Sequence, residues 1–307
     1  MHAATRTLSR ISPVHLAFVA SLLLSWIAIA GTVTIGKDAA YYLDVARLAH
    51  EQGLAAAFQL FSWPWFPLLL AATQAFLGLP LELAAHLWCA LLMAGACALM
   101  VAITQRLLAG SGYWACLVVL SIPGSNHLRY DIIREFGLWF FCMLALWLAL
   151  DWLPRGGWRR ALTVQLAIAA AALFRLEAVF LFPVLALCLL ADWKTPRTWL
   201  QLLQLHLLPL AALLATLGIL LAGQEFANER VLYFLSLLDP RKFLAGFDRM
   251  ADLFARAALQ AHAADEARQI VFFGLPLMLL SKFLTLCGPL ALPLLYRGAW
   301  PAVGDYW

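Results

Sequence analysis

The stretch "LELAAHLWCALLMAGACALMVAITQRLL", residues 81–108, decides what kind of chain this is. It runs without a Lys, Arg, Asp or Glu from Leu83 to Gln105 and ends on Arg106. About 20 consecutive apolar residues are what a helix needs to cross a hydrocarbon core of about 30 Å. The spacing therefore predicts a membrane-spanning helix that stops at a basic anchor.

The rest of the 307-residue chain has the same character. Hydrophobic residues make up 64% and charged residues 12%, with a mean hydropathy of +0.84. Soluble domains are about half apolar and a quarter charged, so an ordinary soluble core is excluded. The expectation is an all-α polytopic membrane protein. The net charge of +4 falls in short clusters between apolar runs, which fits orientation in the bilayer rather than nucleic-acid binding. Cys89, Cys97, Cys116, Cys142, Cys188 and Cys287 all lie in apolar stretches without a C-x-x-C pair. They read as buried small hydrophobes, not as a disulfide framework or a metal site.

Loop charge then sets the topology. Arg6 and Arg10 precede the run Val14–Thr34, which puts the N-terminus in the cytoplasm and makes that run a retained anchor, despite its weakly signal-like "AIAG". Phe66–Leu79 follows Pro64 and reads as an interfacial or re-entrant helix. Counting it as a crossing would put Arg106 and every later basic cluster outside. Without it, Arg106, Arg155, Arg159, Arg160, Lys194, Arg197 and Arg297 all fall in the cytoplasm. About eight spans follow by length and loop charge. Ala161–Phe174 and Tyr113–Pro123 are short for spans, as in a sunken outer pocket, a thinned bilayer or snorkelling arginines.

The predicted organisation is a transmembrane core over residues 1–223, with interfacial helices in a first outer loop at about 35–80. An extracytoplasmic helical loop at 224–269 comes next. Met250, Leu253, Phe254, Ala257 and Ala258 follow helical spacing there. A further span at 270–307 ends soon after at "GDYW", as a C-terminal part cut short would.

Three polar segments interrupt the apolar pattern. In "GKDAAYYLDVARLAHEQG", residues 36–53, Asp44 and Arg47 are three apart and Arg47 and Glu51 four apart, an ordinary exposed charge ladder. Asp38 has Tyr41 and Tyr42 at its third and fourth positions instead. It reads as a helix N-cap or as a general base at the membrane surface, and one side chain can do both. In "SIPGSNHLRYDIIREFGLWFF", a helix from Tyr130 would put Asp131 and Glu135 on one face with Arg129 or Arg134 between them. An interfacial helix end with snorkelling charges is the plain alternative. In "AALFRLEAVFLFP", Arg175 and Glu177 are two apart and point away from each other in a helix. Arg175 therefore needs a phosphate or a salt bridge to Asp131 or Glu135. Trp63 and Trp65 fit an interfacial belt or a stacking surface. The chain contains no G-x-x-x-x-G-K-[ST], H-E-x-x-H, G-x-S-x-G or D-x-D, and its histidines show no metal-ligand spacing. His86 and His206 read as core residues.

The order of these parts resembles the membrane-embedded GT-C glycosyltransferases, in the branch of protein O-mannosyltransferases and the lipid A aminoarabinose transferase. The likeness covers roughly residues 10–200. It implies a GT-C-like helical core and a polyprenyl-phosphate-linked sugar as donor. A hexosyl or pentosyl group would pass to an acceptor hydroxyl or phosphate at the outer face of a bacterial cytoplasmic membrane. The resemblance makes Asp38 the general base, with Asp131 and Glu135 as further catalytic candidates. Arg129, Arg134 and Arg175 become the donor-phosphate ligands, supported by Tyr41, Tyr42, Glu177, Trp63 and Trp65. Neither a metal nor another cofactor is expected. Members of that class have more spans and a longer C-terminal part. A transporter or lipid flippase, or a non-catalytic assembly subunit, stands as the alternative.

Overall fold

A computed structural model describes residues 11–221, 232–233, 236 and 239–291. Arg6, Arg10, Arg297 and the stretches 222–231 and 292–307 of the expected loop and C-terminal span lie outside the described residues. Every regular element among the described residues is helical. Two units are present, residues 1–121 with 126–226, and residues 122–125 with 227–307.

The first unit opens with α1 (Pro13–Ala30), whose proline occupies the first turn, where a missing N–H costs nothing. Three amphipathic or short helices follow, α2 (Lys37–Gln52), α3 (Leu54–Leu60) and α4 (Trp65–Leu77). Next come α5 (Leu81–Leu107), α6 (Gly112–Ser121), α7 (Pro123–His127), whose first three residues belong to the second unit, α8 (Glu135–Arg155) and α9 (Trp158–Phe174). A 3₁₀ turn over Leu176–Phe180 leads into α10 (Leu181–Leu190), then α11 (Pro196–Leu205) and α12 (Leu207–Leu221).

The long helices stack in the order α1, α5, α8, α9, and α2 lies against α4. Small residues make the stack tight. Ala84, Ala85, Ala90, Ala94, Gly95 and Ala96 of α5 are buried, the kind of seam that holds helices together in lipid, where apolar surface gains nothing by hiding. At Gly137 of α8 a Cβ would fall 2.1 Å from the Phe174 ring, and at Gly95 it would fall 2.6 Å from Phe140. Both glycines exist to let an aromatic ring lie on a helix backbone.

Among the described residues, four helical segments are long and apolar enough to cross a membrane: Pro13–Ala30, Leu81–Leu107, Glu135–Arg155 and Ala263–Leu290. The pair α11–α12, bent by 49°, makes a fifth if counted as one span. The protein is an integral membrane protein of helices. The expected eight spans are not all found. The run around Tyr113–Pro123 forms a helix of only 10 residues, about 15 Å long. The run after Arg175 is split by its 3₁₀ turn, and α9 stops at 17 residues. Phe66–Leu79 falls mostly within the 13-residue α4, Trp65–Leu77, which is short for a span, as expected.

The break between α11 and α12 is clasped from α9. Gln165, 1% exposed, donates to the Gln204 carbonyl at 2.8 Å and accepts from the Leu208 amide at 2.7 Å. One side chain thereby satisfies a helix end and a helix start. His206 sits in this break, its Nδ1 2.8 Å from the Leu202 carbonyl. At the end of the bundle formed by the C-terminus of α8, Asp151 gathers Arg106 (3.5 Å), Arg160 (3.0 Å) and Arg155.

The second unit is simpler. It contains α13 (Pro240–Ala258), a 3₁₀ turn over Ala261–Glu266, α14 (Ala267–Cys287) and a last 3₁₀ turn, Gly288–Ala291. The expected amphipathic helix is α13, but Met250 and Leu253 of its apolar face are exposed rather than packed. Of the cysteines, Cys89, Cys97 and Cys116 are buried, whereas Cys188 is exposed and Cys142 and Cys287 are half-buried.

Candidate functional site

The polar segments of the first unit meet at the end opposite Asp151. α2 starts at Lys37 with Gly36 as its cap, and Asp38 makes no capping hydrogen bond. The capping role expected of Asp38 is therefore not used. Its carboxylate is exposed in the first turn, where the helix dipole favours a negative charge. Asp44 and Arg47 pair at 2.9 Å as expected, away from the rest.

The chain from Leu128 to Arg134 is a series of turns, and α8 begins only at Glu135. The helix expected from Tyr130 is not formed, so Asp131 and Glu135 do not share a helix face. The reason is Arg129. Its guanidinium, 3% exposed, donates to Asn126 Oδ1 at 2.6 Å, to the Ser21 carbonyl and hydroxyl at 3.0 and 2.9 Å, and to Ser25 Oγ at 3.1 Å. These bonds tie the segment to α1 and turn Arg129 away from the other charges. It tethers the loop through Nε and Nη1, while its Nη2 is buried without a partner among the described residues.

Asp131 instead lies beside the start of α2. A Cβ on Gly36 would be 3.7 Å from its Oδ1. Burial pushes its carboxyl above the usual range, the Asp38 charge adds to the rise, and His127 opposes it. Asp38 and Asp131 are thus neighbours, and neither forms an ion pair among the described residues.

Arg175 closes the other side. α9 ends at Phe174, and Arg175 is extended (φ −147°, ψ 126°). That backbone lets it reach Glu135 at 2.5 Å and Glu177 at 2.7 Å. The expectation that residues 175 and 177 cannot pair assumed a helix and is corrected here. Two carboxylates already occupy Arg175, so it is not a free phosphate ligand.

Arg134 is the opposite case. It is 9% exposed, and its Nε and Nη1 are buried without a hydrogen-bond partner. Its guanidinium carbon lies 5.5 Å from the centre of the Phe61 ring, a cation–π contact. Beside it is Tyr42, 6% exposed. Burial raises the Tyr42 phenol, with Arg134 and Arg175 pulling it down and Glu135 and Asp38 pushing it up. Tyr42 is the group that feels all four charges, so it marks where they converge. Tyr41 donates to the Leu60 carbonyl at 2.9 Å, and Trp63 Nε1 to the Ala172 carbonyl at 2.9 Å. Both fix the wall, and Trp65 packs edge-on against Trp63 and Phe58.

An apolar groove of about 720 Å³ lies between α4, α5, α8 and α9, with no charged side chain in its lining. Trp65, Phe66, Leu92, Gly95, Phe140 and Phe174 are among its walls. A stack of packed rings separates it from the charges. Phe174 lies 6.0 Å from Phe66, Phe66 lies 5.6 Å from Tyr42, and Tyr42 lies 6.1 Å from Phe61, which carries Arg134.

Comparison with protein-family models, curated proteins and solved structures finds no match. The site's chemistry therefore rests on its own geometry. Chemically the cluster offers a phenol, two neighbouring carboxylates and a guanidinium without an ion-pair partner among the described residues, with the apolar groove beyond Phe66 and Phe174. No group of three metal-ligating side chains occurs among the described residues. Sequence reasoning ranked Tyr42 as a supporting residue and overlooked Phe61, Phe66 and Phe174. The aromatic density of "FQLFSWPWF" was the available signal, but which rings line up is a tertiary fact.

Proposed function

We propose that the protein is a membrane glycosyltransferase that moves a sugar from a polyprenyl-phosphate donor to an acceptor hydroxyl or phosphate at the outer face. The observation that carries this reading is the buried guanidinium of Arg134, two of whose nitrogens lack a partner among the described residues. An apolar groove lies on the far side of the ring stack that it joins. A long prenyl chain suits such a groove, and a phosphate supplies the acceptor oxygens that Nε and Nη1 lack. The acceptor oxygen attacks the anomeric carbon, the bond from that carbon to the phosphate oxygen breaks, and the phosphate leaves with the electron pair. Asp38 takes the acceptor's proton as general base, and Arg134 with the Tyr42 hydroxyl steadies the charge growing on the phosphate. Arg175, held by Glu135 and Glu177, shapes the site and fixes Glu135.

Orientation follows from the two ends of α8. Glu135 and Asp151 are separated by about 24 Å of helix, with the site at one end and the arginines around Asp151 at the other. Basic clusters face the cytoplasm, so the site faces outward, in a bacterial inner membrane under this reading.

The test uses purified protein in detergent. Polyprenyl monophosphate is expected to bind at least tenfold more tightly than the polyprenol of equal length, and Arg134→Gln to erase the difference. Equal binding of phosphate and alcohol by the wild type would overturn the phosphate assignment. Transfer is read separately, with Asp38→Asn expected to retain lipid binding while sugar transfer is lost. A second reading, a lipid transporter, draws on the 49° break between α11 and α12, since broken spans often line transport sites. Counterflow of intact lipid in proteoliposomes, with no covalent change, would favour it.

A further inference from the structure

The second unit carries a surface that the proposed chemistry does not use. Segment Ala263–Leu290, which contains α14, is long and apolar enough to cross a membrane. In α14 only Ala267 and Val271 are buried, in α13 only Ala251. Arg268 pairs with Asp248 of α13. Contact between the two helices is thus confined to the head of α14, and every residue from Phe272 to Leu286 is exposed. A helix of 19 residues is about 28 Å long. Run back along α14, it would cover those residues, and it does not. α13 therefore leaves the axis of the span at its head, where the membrane surface lies.

The face that α13 presents there is ordered. Lys242, Arg249 and Arg256 recur every seven residues, close to one line along a helix. All three are exposed, and none forms an ion pair among the described residues. On one side of that line lie the exposed apolar residues Phe243, Met250 and Leu253. On the other lie Asp252 and Asp248, the latter held by Arg268. Around the helix the order is acid, base, apolar. Bases placed between water and an apolar stripe stand at the depth of lipid phosphates, with their stems along the stripe.

We infer that α13 lies in the plane of the membrane and binds anionic phospholipid. Phe243, Met250 and Leu253 enter the acyl boundary, and Lys242, Arg249 and Arg256 hold headgroup phosphates. The full chain in nanodiscs of phosphatidylcholine alone, or mixed with phosphatidylglycerol, tests it by hydrogen exchange over residues 240–258 and by mass spectrometry of retained lipid. Phosphatidylglycerol should slow exchange in α13 and be enriched around the protein, and both effects should weaken as salt rises. The triple variant K242Q/R249Q/R256Q should lose the preference, at about fivefold per residue. Met250→Asp keeps all three bases and should release α13 from both lipid mixtures. Exchange that is equal in the two lipid mixtures, or a preference that survives the triple substitution, would overturn the inference. So would protection that follows protein concentration at fixed lipid, which would assign the face to a second copy of the chain.

Discussion

Arg134 and Arg175 look alike in the sequence and are opposites in the structure. Arg175 sits between Glu135 and Glu177, so Arg175→Met leaves two carboxylates facing each other. Removing one partner of a fully buried pair costs about 3–5 kcal/mol, and the roughly one-third exposure here lowers that to about 1–2 kcal/mol. A thermal melt in detergent should show the loss. Arg134 has two buried nitrogens without partners, so Arg134→Met removes an uncompensated charge. Thermal stability should hold or rise, while transfer falls about 100-fold, the size seen when one donor to a developing anion is removed. Asp131 adds a pH signature. Its folded-state pKa is raised, so the folded protein holds the proton more tightly than the unfolded chain, and ionising Asp131 as pH rises lowers stability. Asp131→Asn should therefore melt higher than wild type at neutral pH, with the gain vanishing as pH drops below the normal carboxylate range. The shift at this position could not be read from spacing, because it comes first from tertiary burial and then from Asp38, which lies on a helix 93 residues earlier.

At the scale of elements, helix ends were the hardest feature to read. α5 was legible because a long uncharged run has few alternatives in a bilayer. The start of α8 was not, since the bonds of Arg129 to Ser21 and Ser25 hold residues that the local pattern would place in helix. The end of α9 was hidden likewise, and with it the pairing of Arg175 with Glu177. The clasp at Gln165 is testable at this scale. Gln165→Leu strands the Leu208 amide and the Gln204 carbonyl, which cost about 1–3 kcal/mol each when left unpaired. Hydrogen exchange at residues 204–210, across the break between α11 and α12, should accelerate strongly while α9 stays protected. Gly137→Ala places a methyl group against Phe174 and should destabilise by about 1–3 kcal/mol through overpacking, read as a lower melting temperature.

At the scale of the first unit as a whole, the groove lies behind the ring stack that carries the charged cluster. Gly95 forms part of its wall under the Phe140 ring. Gly95→Leu should drive that ring into the groove and weaken polyprenyl-phosphate binding, while leaving phosphate analogues without a chain unaffected. The two ends of α8 give an orientation test. In a cysteine-free background, a cysteine at Glu51 should react with an impermeant thiol reagent from outside, and one at Arg159 only from inside.

The amino-acid sequence by itself determined that this is a helical membrane protein, because so few charges leave no other solvent for the chain. It also marked the polar segments around Asp38, Asp131 and Arg175, since charge in an apolar sequence stands out wherever it falls. Only the tertiary structure decided which charges are spent and which remain. Whether a guanidinium is neutralised, tethered or free depends on side chains brought together across distant helices. Local spacing carries no record of that meeting: Arg129 ends on α1, Arg175 between two glutamates, and Arg134 against Phe61 with no ion pair among the described residues.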